Sequence, residues 1–166
     1  SPFKNIMIVG GGRIGFYLAD TLSAKKYNVK LIEKNEARAD ELAETLPRAT
    51  VLCGNGTQHD LLVEEGIEVM DAFVALTNND EENMIVSMFA NKKKVKKSIT
   101  QIESDDLFGM LDELGINIAL QGHDHIYEVI GPVNNLQKTL ISNEVEMVET
   151  VGDGGLRENM TGKQGG

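Results

Sequence analysis

Three glycines stand at the spacing G-x-G-x-x-G directly after a short apolar run. They are Gly10, Gly12 and Gly15, and the run before them is Ile6 to Val9. At a strand-to-helix junction the first glycine allows a tight turn, the second lets a pyrophosphate approach the backbone, and the third packs the helix closely on the sheet. The N–H groups and the positive dipole end of that helix favour an anion without a lysine. The pattern therefore predicts a dinucleotide or nucleotide site.

An acidic residue follows at the distance expected of a ribose-binding group. A second predicted strand, residues 29–32, ends on Glu33, about twenty residues beyond the glycines. A carboxylate there accepts hydrogen bonds from ribose hydroxyls and disfavours a 2′-phosphate, which predicts NAD or an adenine nucleotide over NADP. The adjacent Lys34 weakens that preference. The alternative interpretation is that Glu33 only ends a strand in solvent.

The elements that would position these residues alternate between strand and helix. Strands are predicted at residues 6–9, 29–32, 49–53, 72–76, 98–103 and 116–120. The helices between them are predicted from apolar residues at helical spacing, with Asn35 as one N-cap, Thr57 and Asp60 as a capping box, and a last helix from Ser104 to Gly115. Such alternation predicts an α/β fold, a Rossmann-like doubly wound parallel sheet of order 3-2-1-4-5-6 with helices on both faces.

In such a sheet the ligand lies outside the carboxyl ends of the strands, where the order reverses. We expect four polar loops to converge there: residues 10–15, Glu33 with Lys34, residues 54–57, and residues 77–83.

Composition excludes several classes of protein. The chain has 166 residues and a formal net charge of −10, which disfavours nucleic acid because phosphate binding needs clustered Lys and Arg. The basic run from Lys92 to Lys97 is interpreted as a solvated helix end.

No signal peptide opens the sequence and no stretch approaches the roughly 20 apolar residues of a membrane span. The single cysteine, Cys53, is predicted to be a small buried side chain, and a cytosolic protein is expected.

The loops together resemble the TrkA N-terminal (KTN or RCK) nucleotide-binding domain of potassium transporters and channels, over residues 3 to about 116. The resemblance is carried by Gly10-Gly11-Gly12-Arg13-Ile14-Gly15, by Ile32-Glu33-Lys34-Asn35 with Arg38, and by the fourth strand with its Thr-x-x-Asp-Glu-x-Asn loop, residues 71–83.

The resemblance implies an NAD(H) or ATP/ADP site with the following residue roles. Gly10, Gly12, Arg13, Ile14 and Gly15 would hold the phosphates, Glu33 the ribose and Lys34 the adenosine neighbourhood, Asn55, Gly56 and Thr57 the adenine side, and Thr77 and Asn78 the nicotinamide or terminal-phosphate end.

Two positions depart from the family pattern. Asn55 stands where the family often has an aspartate, and Gln101 lies where the fifth strand usually delivers an arginine, which argues against tight triphosphate binding. For Asp80, Glu81 and Asn83, helix capping and ligand contact both stay open.

The resemblance implies a regulatory binding module and not an enzyme. The module would act as a homodimer at the inner face of the membrane. Its ligand occupancy would be transmitted to a membrane potassium transporter or channel subunit. One alternative is an NAD-dependent oxidoreductase fragment, which needs a substrate domain and a His, Lys or Tyr at the nicotinamide end. Few residues remain after the sixth strand to supply that domain.

The last third of the chain has a second resemblance. Gly122-His123-Asp124-His125 is similar to the Gly-His-x-His motif of calcineurin-like metallophosphoesterases, so the chain resembles a chimera of two families. The other motifs of a two-metal hydrolase are absent, so a phosphoesterase is the least favoured alternative and His123 and His125 are weak metal candidates. We therefore expect a nucleotide-binding domain at residues 1–120 and an irregular, partly mobile extension at residues 121–166, with a strand near Val145 to Val151.

Overall fold

A computed structural model describes residues 4–104 in full and, beyond them, the backbone of three strands at 118–123, 126–130 and 157–161. The elements are β1 (Asn5–Val9), α1 (Arg13–Ala24), β2 (Asn28–Glu33), α2 (Glu36–Thr45), β3 (Thr50–Cys53), α3 (His59–Glu64), β4 (Ala72–Ala75), α4 (Asp80–Lys92), β5 (Lys97–Ile102), β6 (Ile118–His123), β7 (Ile126–Ile130) and β8 (Arg157–Thr161), with a 3₁₀ turn at Ile67–Val69 between α3 and β4.

The strands form one sheet in the order β3-β2-β1-β4-β5-β6-β7-β8. The first six are parallel, which confirms the predicted order 3-2-1-4-5-6, and β7 and β8 are antiparallel to their neighbours. The predicted irregular extension thus contributes two strands. β7 has the sequence Ile-Tyr-Glu-Val-Ile, and such β-branched and aromatic residues suit a pleated surface. The predicted helix after Ser104 and the strand near Val145 lie outside the described residues.

The part of the sheet from β3 to β5 is covered on both faces, as expected of a doubly wound fold. On one face α1 and α2 bury Leu18, Leu22 and Leu42 against Ile8 and Leu31. On the other face the segments between β3 and β5 bury side chains against those strand residues that point the opposite way; these include Leu62, Ile67, Val86, Ala90, Met7, Val9, Phe73 and Ala75. Because neighbouring strand residues alternate between faces, both cores draw on β1 and β4.

Side chains next to the start of a helix were predicted to cap α2 and α3, and the structure confirms the first of these caps and not the second. Asn35 caps α2 as predicted, since its side-chain oxygen accepts the Arg38 N–H at 2.8 Å. The predicted capping box of Thr57 and Asp60 is wrong, because α3 begins at His59 without a side-chain cap. Thr57 instead donates its N–H and hydroxyl to the side-chain oxygen of Asn55, at 3.0 and 2.6 Å, a local bond that competes with capping.

Cys53 is exposed, so the prediction that it is buried is wrong. It is the last residue of β3, which lies at the edge of the sheet, and an edge strand has a neighbour on one side only. Its thiol lies 3.8 Å from the carbonyl oxygen of Lys34.

Asp71, directly before β4, bonds to residues at the starts of β1 and β5. Its carboxylate accepts the backbone N–H groups of Lys4 and Asn5 at 2.8 and 2.9 Å, and it pairs with Lys96 at 3.0 Å. Burial alone would raise the pKa of Asp71, but the two backbone hydrogen bonds and the Lys96 ammonium outweigh it and hold the pKa below its usual value. Asp71 therefore contributes stability as an ionised group.

Within the described residues, no helix combines the length and apolar character required to cross a bilayer.

Candidate functional site

A cleft of about 980 Å³ opens at the carboxyl ends of β1 to β5, where the strand order reverses. It is lined by the twelve residues to which the family resemblance gives a role in nucleotide binding, namely Gly10, Gly12, Arg13, Ile14, Gly15, Glu33, Lys34, Asn55, Gly56, Thr57, Thr77 and Asn78. Further lining residues were not assigned to a ligand from the sequence, among them Gly11, Asn35, Glu82, Gln101 and Glu103. The fold thus brings the expected side chains to one place.

The glycines of the first loop differ in what they do. Gly10 has a φ of +110°, and a Cβ there would run into the backbone of Leu76, so the turn itself requires glycine. A Cβ on Gly15 would collide with the carbonyl oxygen of Gly10, so this glycine allows α1 to pack closely. A Cβ on Gly12 would meet no atom within 4 Å, and its φ of −72° suits any residue. Nothing in the described chain requires Gly12, which leaves its open side available to a ligand.

The N-terminus of α1 is chemically different from those of the two other long helices. Gly12, its N-cap, supplies no side-chain hydrogen bond, and the first turn contains no acidic residue. In contrast, α2 and α4 each have an asparagine cap, and the first turn contains one acidic residue in α2 and three in α4. The first turn of α1 therefore has no acidic residue to compensate the positive end of the helix dipole. This end of the helix lines the cleft, as an anion-binding site requires.

Glu33 binds the glycine loop through its carboxylate. One oxygen accepts the Gly11 N–H at 2.8 Å and the other accepts the Asn35 N–H at 2.6 Å. The interpretation that Glu33 only ends a strand in solvent is therefore insufficient. Each carboxylate oxygen has a second lone pair, so the group can also accept a ribose hydroxyl from the cleft.

Arg38 contacts the same loop from α2, a role that its place in the family motif does not indicate. Its Nε donates to the carbonyl oxygen of Gly11 at 2.7 Å, and its guanidinium lies 3.6 Å from the carboxylate of Glu41.

At the end of β3, Asn55, Gly56 and Thr57 form a compact turn. The two bonds from Thr57 hold the Asn55 side chain, and Gly56 is buried where a Cβ would collide with the side chain of Val9. This turn forms the wall of the cleft beyond Glu33.

On the opposite side of β1, Asn83 joins the ends of β4 and β5. Its Oδ1 accepts the N–H and hydroxyl of Thr77 at 3.0 and 2.7 Å, and its Nδ2 donates to the carbonyl oxygens of Thr77 and Gln101 at 2.9 Å each. These bonds use the hydrogen-bonding capacity of the buried amide. Asn83 is therefore a structural residue of the cleft wall.

Two residues just before Asn83, Asn79 and Asp80, also have structural partners. Asn79 is the N-cap of α4, accepting the Glu82 N–H at 2.8 Å. Asp80 accepts the N–H groups of Glu103 and Ser104 at 3.0 and 2.7 Å and so fixes the chain leaving β5. Both Asp80 and Glu82 line the cleft, whereas Glu81 does not.

The part of the chain described with side chains contains no group of three His, Cys, Asp or Glu residues that could hold a metal ion. His123 is the last residue of β6, and its side chain and all of His125 lie outside the described residues.

The comparisons with known proteins agree with this architecture. Residues 6–121 match the sequence profile of the TrkA-N domain. The Trk system potassium uptake protein TrkA of Vibrio alginolyticus is 41% identical over 119 residues, covering 72% of this chain and 26% of that protein. The TrkA of Haemophilus influenzae is 33% identical over 170 residues, covering 98% of this chain and 37% of that protein. The chain thus spans 26% and 37% of the lengths of these two relatives.

Solved structures show the same fold. The TrkA-N domain of the inner membrane protein ybaL from Escherichia coli superposes with a TM-score of 0.65 at 24% identity, covering 74% of this chain and 90% of that one. The GsuK channel bound to NAD superposes with a TM-score of 0.60 at 16% identity, covering 80% of this chain and 28% of that one. Because the TrkA-N profile matches residues 6–121, which is most of its length, this chain belongs to the TrkA-N domain family.

Proposed function

We propose that this chain is a regulatory nucleotide-binding module of a potassium transport system, which binds NAD(H) or ATP/ADP without catalysing a reaction. The observation that carries the proposal is Gly12: the fold leaves it open toward a cleft at the uncompensated end of α1. A glycine that the fold does not need, at a helix end that favours anions, fits a phosphate lying against the backbone.

The proposed pose follows the strands. The phosphates lie at the start of α1, between β1 and β4. The ribose contacts Glu33, the adenine lies by the turn of Asn55 to Thr57, and the remaining part of the ligand extends towards Thr77 and Asn78. We propose NAD(H) ahead of ATP, since Gln101 supplies no positive charge for a third phosphate at that end.

Binding is proposed in preference to catalysis for a reason visible in the cleft. Its described lining contains no His, Tyr or Cys, and its one lysine, Lys34, is next to Glu33, at the ribose end of the proposed pose. The oxidoreductase alternative needs a His, Lys or Tyr near the nicotinamide. The fold itself does not distinguish binding from catalysis, because dehydrogenases such as (S)-3-hydroxybutyryl-CoA dehydrogenase PaaH1 from Ralstonia eutropha share it, with a TM-score of 0.56 at 12% identity. The lining of the cleft therefore carries this preference.

The partner and location are proposed from the relatives, which are named as potassium uptake proteins. The chain would act as a homodimer on the cytoplasmic side of a membrane transporter or channel subunit. Ligand binding would shift an equilibrium between two conformations by its different affinity for each.

The test is isothermal titration of the purified chain with NAD, NADH, NADP, ADP and ATP, alongside thermal unfolding with each ligand. A ligand at a hundredfold its Kd adds about 2.7 kcal/mol to the free energy of unfolding, which raises Tm by several degrees. We expect NAD(H) or adenine nucleotides to bind and NADP to bind more weakly. The absence of binding by all five nucleotides would overturn the proposal. Reduction of NAD in the presence of small alcohols or hydroxy acids would instead support the oxidoreductase alternative.

A further inference from the structure

The peptide groups on both sides of Gly11 are held by residues outside the glycine loop. The N–H of Gly11 donates to Glu33 at 2.8 Å, and its carbonyl oxygen accepts from Nε of Arg38 at 2.7 Å. Both partners come from the β2–α2 segment, so this segment fixes two successive peptide planes of the loop.

The bond to Arg38 determines the direction of a second group. The carbonyl of Gly11 and the N–H of Gly12 belong to one peptide unit, and the described chain has no cis peptide bond. In a planar trans peptide the C=O and N–H vectors point in opposite directions. By drawing the Gly11 carbonyl towards α2, Arg38 turns the Gly12 N–H away from α2, at the residue whose open side lines the cleft.

The preceding peptide follows the same logic. Glu33 holds the Gly11 N–H, so the carbonyl of Gly10 points the other way, over the position that a Cβ on Gly15 would occupy. Gly10, Gly11 and Gly12 are consecutive and lack the steric restraint of a Cβ. Their conformation therefore depends on these external hydrogen bonds.

Arg38 is itself anchored for this task. Its backbone N–H is bound by the cap residue Asn35 at 2.8 Å, and its guanidinium lies 3.6 Å from the carboxylate of Glu41, one turn along α2. Its side chain is only 34% exposed, and it does not line the cleft.

We propose that Arg38 is a positioning residue for phosphate recognition, which acts through the Gly11 carbonyl to aim the Gly12 N–H at the ligand. This inference rests on the proposed nucleotide site. A loop already held in its binding conformation gives tighter binding because less freedom is lost when the ligand arrives. The charged donor also polarises the shared peptide unit, which strengthens the hydrogen bond that its N–H can donate.

The test compares Arg38→Met, which keeps the stem and removes the donor, with Arg48→Met, the same change at an exposed arginine beyond α2. Binding of ADP, NAD and adenosine is measured by NMR titration, and ¹⁵N relaxation gives the order parameter of the Gly12 N–H without ligand. We expect Arg38→Met to weaken ADP and NAD about tenfold, as for loss of a charge-assisted hydrogen bond. Adenosine, which has no phosphate, should bind unchanged, the Gly12 order parameter should fall, and Arg48→Met should match the wild type.

The outcomes separate the two proposals. If the wild type binds no nucleotide, the proposed function fails and this inference fails with it. If the wild type binds ADP and Arg38→Met binds it equally well, only the role of Arg38 is overturned. An equal loss for adenosine and ADP would also overturn it, because a general structural defect would affect both. Should Arg38→Met not fold, Arg38→Lys, which keeps the cation but lacks the planar guanidinium, must show the same selective loss for ADP.

Discussion

The α-carbon of Gly15 lies so close to the carbonyl oxygen of Gly10 that a Cβ on Gly15 would collide with it, whereas a Cβ on Gly12 would meet nothing within 4 Å. Two glycines of one motif thus serve different purposes. Gly15 is needed for the packing of α1 on the sheet, and Gly12 is open to the cleft.

Gly15→Ala should therefore destabilise the fold. The added methyl group has to displace backbone and not a flexible side chain, and such overpacking costs about 1–3 kcal/mol of unfolding free energy. Urea denaturation followed by circular dichroism measures it, with Ala24→Gly at the exposed end of α1 as a control for helix propensity. Unchanged stability in Gly15→Ala would contradict the close approach of α1 to the Gly10 carbonyl.

Glu33→Ala should weaken NAD and ADP to a similar degree, because the proposed pose puts the ribose that both ligands share against this carboxylate, which also holds Gly11. Loss of hydrogen bonds to a charged group predicts about a 10- to 100-fold increase in Kd. Isothermal titration of this variant and of Glu44→Ala, an exposed acid on α2, provides the comparison. Wild-type affinity in Glu33→Ala would remove Glu33 from the site.

Asn83→Ala should be among the more damaging single changes in the cleft wall. It removes hydrogen bonds to Thr77 and Gln101 in a buried location, so the unfolding free energy should fall by about 2–4 kcal/mol. Asn91→Ala, at an exposed position of α4, should change it little. Chemical denaturation of the wild type and both variants measures these differences. If Asn83→Ala is as stable as the wild type, the hydrogen-bond network is energetically unimportant.

Asp71→Ala should lower stability in a pH-dependent way. The folded-state pKa lies below the unfolded value of about 3.9, so the ionised group stabilises the fold at neutral pH, and this contribution declines as the pH falls through the folded pKa. We expect a loss of about 1–3 kcal/mol at pH 7 that shrinks below about pH 4. Unfolding curves from pH 7 to 3 for the wild type, Asp71→Ala and the exposed control Asp40→Ala would show it. A difference independent of pH would contradict the role of the charge.

The parallel part of the fold could be predicted because its signals are local. The glycine spacing, the apolar strands and the cap at Asn35 each depend on neighbouring residues, and together they determine the alternation that gives the strand order. Glu33 could be assigned to the cleft because a strand end fixes its place.

Other features depend on contacts between distant segments. The bonds of Arg38 to Gly11 and of Asn83 to Gln101 join segments that only the folded chain brings together, and no local pattern indicates them. The exposure of Cys53 could have been predicted, since the expected strand order already put its strand at the edge of the sheet. The predicted cap at Thr57 is wrong because a threonine that bonds to Asn55, two residues away, has the same sequence signature as a cap.

The most direct test of the central claim is titration of NAD into the wild type and Gly12→Val, with thermal unfolding of both proteins measured in parallel. A Cβ at position 12 meets no atom within 4 Å and the valine side chain would extend from it on the open side of the loop, so we expect a closely similar Tm without ligand and no detectable NAD binding. A folded Gly12→Val that binds NAD as tightly as the wild type would contradict the account, because the phosphates would then not lie against Gly12.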